Sequence, residues 1–281
     1  MEDPMQQRLT LGYSTCPNDT FLFYALAHDR VRCPVRFKIE LADVETLNQA
    51  ARTETFDISK LSFAAIGHLQ DRYGLLRSGA ALGRGCGPLI VARKGFRLAD
   101  LDGSTIAVPG RWTTACLLLG LYLGKPPQVT PMGFEQIMPA IRSGACDAGV
   151  IIHEGRFTYP AYDLVKLLDL GEWWEETAGL PIPLGGIAIR RDHGPDTARQ
   201  IEKAIAESVA YAFRHPDAPE AYVRMHAQEM APEVVRQHID LYVNDFTRDL
   251  GEVGEAAIRR LFELARERRV LPDGDRPLFA C

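Results

Sequence analysis

No stretch of this 281-residue chain is apolar for long enough to cross a bilayer; its longest such run, Cys116 to Leu123, falls far short of the ~20 residues a membrane helix needs. Positive charge is not in excess either. Lys and Arg number 32 against 37 Asp and Glu, a formal net charge of -5, and no basic run marks one face. A nucleic-acid partner is therefore not expected. The start, Met1 to Gln7, is polar and acidic and has neither the basic region nor the apolar core of a secretory leader. These absences together predict a cytoplasmic protein with no membrane partner. The six cysteines (Cys16, Cys33, Cys86, Cys116, Cys146, Cys281) contain no CxxC pair and no metal-like spacing. They read as small buried thiols, with Cys16 set apart because it falls in a polar loop.

Several catalytic signatures are missing as well. There is no Walker A sequence and no Gly-x-Ser-x-Gly elbow. The cluster Gly83-Arg84-Gly85-Cys86-Gly87-Pro88 imitates a dinucleotide fingerprint, but Pro88 stands where the third glycine belongs, and a strand follows instead of a helix. His153-Glu154 would open a zinc-protease helix only with a histidine at 157, which is Phe157. Neither a metal nor a nucleotide cofactor is expected.

What is present is a long α/β pattern. Hydrophobic residues make up 46% of the chain, ample for real cores, and the length exceeds the usual single core. Strand-like runs at Leu9–Tyr13, Arg36–Leu41, Phe56–Ser59 and Leu89–Ala92 alternate with helical segments at Phe21–Ala27, Val44–Ala51 and Ser62–Tyr73. After Arg93-Lys94-Gly95 the pattern restarts. A strand at Thr105–Val108 leads through Pro109-Gly110 to a helix from Thr113 or Thr114 to Tyr122. Phe134, Ile137, Met138 and Ile141 form a helical stripe closed by Gly144, with Pro139 sitting awkwardly inside it. Strands follow at Ala148–Ile152 and Val165–Leu170, and another at Gly185–Ile189 leads into a helical tail. Trp173-Trp174 reads as core. The expected architecture is a two-lobed α/β protein: residues 1–92 and 187–281 form the larger lobe, residues 93–186 the smaller, each a mixed sheet flanked by helices. Ligands of open α/β sheets bind beyond the carboxyl ends of the strands, so a small polar or anionic molecule is expected in a cleft between the lobes.

The loops at those strand ends supply the candidate residues. From the Ser14–Thr20 loop come Ser14 and Asn18. Lys60-Leu61-Ser62 places a point charge and a hydroxyl on either side of Leu61, suited to an acidic ligand, although a surface lysine beside a helix cap would look the same. Thr113-Thr114-Ala115 opens an apolar helix after a turn; its unpaired amides make an anion seat, and plain N-capping would use the same threonines. His153 alone among the histidines ends a continuous apolar strand. It reads as a general base or acid, or else as a structural histidine bonded to backbone.

Five segments occur in order: Ser14-Thr15-Cys16-Pro17-Asn18-Asp19-Thr20-Phe21, Lys60-Leu61-Ser62, Leu82-Gly83-Arg84-Gly85-Cys86-Gly87-Pro88-Leu89, Val108-Pro109-Gly110-Arg111-Trp112-Thr113-Thr114-Ala115 and Ile151-Ile152-His153-Glu154-Gly155-Arg156-Phe157-Thr158-Tyr159. Together they resemble the 1,4-dihydroxy-6-naphthoate synthases of the futalosine route to menaquinone, over essentially the whole chain. The resemblance implies a fold like the type 2 periplasmic binding proteins. It also implies a cofactor-independent lyase that cleaves cyclic dehypoxanthinylfutalosine and releases a three-carbon fragment. It makes His153 the base, and Lys60, Leu61, Ser62, Thr114 and Ala115 contacts of a carboxylate-bearing substrate. Thr15 and Trp112 depart from the residues expected in relatives. A chorismate dehydratase of the same pathway, or a non-catalytic organic-anion binder, are the alternatives; the His-Glu-Gly-Arg-Phe-Thr-Tyr segment argues against the first.

Overall fold

A computed structural model describes residues 8–227 and 231–281, so the polar start read above lies outside the described residues. The first elements are β1 (Arg8–Tyr13), α1 (Pro17–Ala27), β2 (Arg36–Leu41), α2 (Val44–Ala51), β3 (Ile58–Ser62), α3 (Phe63–His68), β4 (Tyr73–Leu75), β5 (Ala81–Gly83) and β6 (Leu89–Arg93). Next come β7 (Ile106–Val108), α4 (Thr114–Leu123), β8 (Val129–Pro131), α5 (Phe134–Ser143), β9 (Ala148–Ile151), α6 (Gly155–Thr158), β10 (Leu164–Asp169), α7 (Leu170–Ala178) and β11 (Ile182–Arg190). The tail holds α8 (Gly194–Arg214), α9 (Glu220–His226), α10 (Pro232–Tyr242), α11 (Asp245–Arg248) and α12 (Gly251–Glu267). Among the described residues no helix is long and apolar enough to cross a membrane.

The chain divides into two compact units. The first comprises residues 8–81, Gly185–Gly251 and Gly274–Cys281. Its sheet runs β2-β1-β3-β11-β4, with β5 also pairing β11. β1 lies parallel to β2 and β3, while β11 returns antiparallel to β3 with Ile187 opposite Lys60. The alternate apolar residues of β1 (Leu9, Leu11, Tyr13) pack with Leu22 and Leu26 of α1, with Ile187 and Ile189 of β11, and with Ile201, Ile205 and Val209 of α8. The tail stripe at period 3.6 thus covers the sheet, as an amphipathic helix must.

The second unit comprises Leu82–Leu184 and Glu252–Asp273. Its sheet runs β10-β6-β9-β7-β8, with β7 parallel to β8 and β9, and β6 antiparallel to both β9 and β10. Leu89 and Val91 of β6, Ile137 and Ile141 of α5, and Ile151 of β9 form part of its core. Gly144 ends α5 with φ +84°, the left-handed turn that its place after the stripe predicts.

The division departs from the sequence expectation at two elements. β6 belongs to the second unit, because both of its edges are hydrogen bonded there. α12 also belongs there instead of with the rest of the tail. In that unit α4 is an apolar helix buried from Thr114 to Leu121, which needs cover all round. Just beyond α12, Arg268 donates to the carbonyl of Leu121, and Val270 approaches Gly120.

Local boundaries also differ. α1 starts at Pro17, not Phe21, since a proline at the first helical position loses no ladder bond. α3 ends at His68, and Tyr73 begins β4. β8 and α7 were not expected; of the Trp173-Trp174 pair read as core, Trp174 is fully buried and Trp173 half-buried, and the Trp174 indole N–H donates to Pro181 O at 3.1 Å.

Candidate functional site

In the second unit, register decides what meets at the sheet edge. β7 and β9 run parallel with Ile106 opposite Ala148, so both leave the sheet on the same side. Leu89, the first residue of β6, lies opposite Ile151, and Asp169, the last of β10, lies opposite Leu89. The edge therefore gathers the turn before α4, His153, the Gly87-Pro88 turn and Asp169.

At the first of these, Thr113 caps α4: its Oγ1 accepts from Cys116 N at 3.3 Å and donates to Gly110 O at 2.7 Å. Thr114 Oγ1 donates to Leu184 O at 2.6 Å. That hydroxyl hydrogen is therefore already engaged. What remains for an anion to use there is the first-turn amides, which a helix leaves outside its own ladder. Thr114 and Ala115 are both buried.

His153 stands two residues past β9 and is half-buried. Its φ is +55°, the left-handed region that L-residues seldom occupy. Asp29, Glu54, Asp163 and Arg269 share that region, all in turns. The imidazole meets the ring of Phe134 edge-to-face, with centroids 5.2 Å apart. Its carbonyl accepts from Arg156 N at 3.3 Å.

Arg156 in turn reaches across the edge. Its guanidinium donates to Gly87 O at 2.6 Å and to Asp169 Oδ2 at 2.5 Å. The other Asp169 oxygen accepts from Gly171 N at 2.8 Å and Glu172 N at 3.3 Å, capping α7. Burial pushes the nearby Cys86 thiol up to about 12, against a lowering pull from Arg156, so it is no nucleophile at neutral pH.

The first unit holds the other candidates, in a buried polar network. Lys60 Nζ pairs with Asp19 Oδ1 at 2.6 Å and also donates to Gly79 O at 3.3 Å. Asp19 Oδ1 accepts from Asn18 Nδ2 at 2.9 Å, while its Oδ2 accepts from Ser14 Oγ at 2.7 Å and Ser14 N at 3.3 Å. His238 Nε2 lies 2.9 Å from Asn18 Oδ1. Ser62 Oγ accepts from Asn48 Nδ2 at 3.1 Å, and Ser62 N donates to Asn48 Oδ1 at 3.0 Å. The Leu61 side chain is fully buried.

The lysine charge is thus compensated by a carboxylate, and the pair tolerates burial because both ends are hydrogen bonded. Burial, helped by a 2.6 Å bond to Tyr222, pushes the Tyr13 hydroxyl well above its ordinary value. Asp19, Asn48 and His238 were not among the sequence candidates. Asp19 lies in the first turn of α1, whose N-cap is Cys16. Cys16 itself is buried there instead of lying in an open polar loop. Among the described residues no His, Cys, Asp and Glu group could hold a metal ion.

Against known proteins, residues 9–267 match the family model described as menaquinone biosynthesis. The 1,4-dihydroxy-6-naphthoate synthase of Thermus thermophilus is 51% identical, covering 97% of this chain and 99% of that one. A crystal structure of a protein from Archaeoglobus fulgidus matches with a TM-score of 0.88 at 36% identity, over 94% of this chain and 98% of its own. The periplasmic aliphatic sulphonate binding protein of Escherichia coli matches with a TM-score of 0.65 at 16% identity, over 95% and 89%. At that identity the likeness carries the fold alone, which is that of the periplasmic binding proteins.

Proposed function

The chain belongs to the menaquinone biosynthesis family, and on that footing we propose that it is a lyase cleaving cyclic dehypoxanthinylfutalosine to 1,4-dihydroxy-6-naphthoate and dihydroxyacetone. The observation that carries this reading is the near-full-length identity to a synthase of that name. No observation favours a chorismate dehydratase or a non-catalytic organic-anion binder.

In the proposed chemistry, His153 takes a proton from the bound substrate, a carbon–carbon bond breaks, and the ring system becomes aromatic, which supplies the driving force. The protein's task is then to place the base and hold the substrate still. A strand-end histidine fixed by backbone geometry and by an edge-on aromatic ring suits that task. The first-turn amides at Thr114 and Ala115 are the proposed seat for the substrate carboxylate. On the first unit, Ser14, Asn18, Lys60, Leu61 and Ser62 remain the proposed substrate contacts. Because Lys60 is paired with Asp19, it contributes there as a hydrogen-bond donor within a neutral pair, not as an isolated positive charge.

The test is incubation of the purified protein with the cyclic substrate and no added cofactor, following naphthoate by absorbance and mass. Stoichiometric naphthoate and dihydroxyacetone are expected.

A further inference from the structure

The strained backbone at His153 needs something to hold it, and α6 is too short to do so. A single helical turn gains little from its own hydrogen bonds, since nucleation is unfavourable. A non-glycine residue in a sparsely populated region persists only where its surroundings over-determine it. Upstream, the constraint is the pairing of Ile151 with Leu89. Downstream, it is Arg156, whose amide binds the His153 carbonyl while its guanidinium binds Gly87 O and Asp169.

Both of those anchors are rigid. The Asp169 side chain is fully buried, and its second oxygen is spent on the α7 amides. Gly87 is locked against α7 backbone to backbone: a Cβ there would stand 2.3 Å from Gly171 N. Two residues on, Leu89 pairs with Ile151 again. The chain of contacts is therefore a closed ring through β9, His153, Arg156, Gly87 and β6.

We propose that Arg156, anchored by Asp169, is the positioning residue for the general base. It fixes the imidazole by fixing the turn on which His153 sits, and it takes no proton itself. This rests on the reading of His153 as the base.

The test compares Arg156→Gln, Arg156→Lys, Asp169→Asn and His153→Asn, assayed on cyclic dehypoxanthinylfutalosine well below each variant's melting temperature, per folded molecule. A merely structural arginine would lower Tm and the folded fraction while leaving kcat per folded molecule intact. A positioning arginine lowers kcat itself. Misplacement of a reacting group by about 1 Å costs on the order of 10²-fold, so Arg156→Gln is expected to lose roughly 10- to 100-fold in kcat. KM should stay within about 3-fold, because the group is not proposed to touch substrate. Arg156→Lys keeps the charge without the two-pronged geometry and should recover part of the loss. Asp169→Asn keeps an oxygen to cap α7 but removes the ion pair, and it should fall in kcat as well.

A kcat within about 2-fold of wild type in Arg156→Gln overturns the proposal. If that variant does not fold, the same result in Asp169→Asn overturns it. His153→Asn separates the two readings. If it is inactive and the Arg156 variants turn over normally, only the positioning claim fails. If it turns over normally itself, the base assignment fails, and the positioning claim with it.

Discussion

At the scale of single residues, His153 carries the chemistry of the proposal, and its replacement is the sharpest local test. Asn retains one hydrogen bond of the imidazole but cannot take up a proton near neutrality. His153→Asn is expected to keep its fold and most of its substrate affinity while turnover falls roughly 10²–10⁴-fold. Thermal melts, ligand titration and turnover on one preparation check this. Thr114 is a different case, because its hydroxyl already serves the Leu184 carbonyl. Thr114→Val leaves that carbonyl unmet, at a cost of about 1–3 kcal/mol in stability. Thr114→Ser should restore it, and a melt of the pair decides. His153 was legible in the sequence because it alone ends an apolar strand. Asp19 was not: its partner Lys60 lies 41 positions away, and nothing local distinguishes a carboxylate that caps a helix from one that neutralises a distant lysine.

At the scale of elements, the sequence reads well where apolar periodicity and turn chemistry agree, as in α5 with Gly144 and α4 after Pro109-Gly110. It reads poorly where they do not. β8 is three residues long with little buried surface, and α7 buries only Leu170, Gly171 and Trp174, so neither offers a long period to detect. The approach of Gly87 to Gly171 was equally hidden, since Gly87 sits in a glycine-rich segment with no apolar period. Here the glycine is needed for space: the nearest atoms a Cβ would meet are backbone. Gly87→Ala is therefore expected to destabilise by about 1–3 kcal/mol and to lower kcat by displacing the Arg156 anchor. Denaturant unfolding alongside kinetics checks both parts.

At the scale of the whole molecule, two sheets of mixed strands and a tail divided between two units account for the fold. Repeating βα blocks made two units legible. The assignment of α12 was not, because the residues just past it that reach α4, Arg268 and Val270, lie more than a hundred positions further on. The first unit also holds a pH-sensitive fastening. Burial alone would raise the Asp57 carboxyl, but bonds from Thr10 N and Oγ1, at 2.7 Å each, and from His193 at 2.8 Å outweigh it and hold it below the ordinary value. A depressed carboxyl contributes stability that is fully present above its unfolded pKa, about 4, and is lost as pH falls through the lower folded value. Asp57→Asn should therefore lower Tm at pH 7, with the gap to wild type narrowing on acidification below about pH 4. Melts across that range show it.

The chain is proposed to perform the synthase reaction by itself. Its most direct test is a single-substrate incubation of the wild-type protein with cyclic dehypoxanthinylfutalosine in buffer containing a chelator and no cofactor, with both products quantified by mass. Equal amounts of 1,4-dihydroxy-6-naphthoate and dihydroxyacetone are expected, formed in proportion to enzyme and time. Substrate recovered unchanged from a well-folded preparation would contradict the proposal.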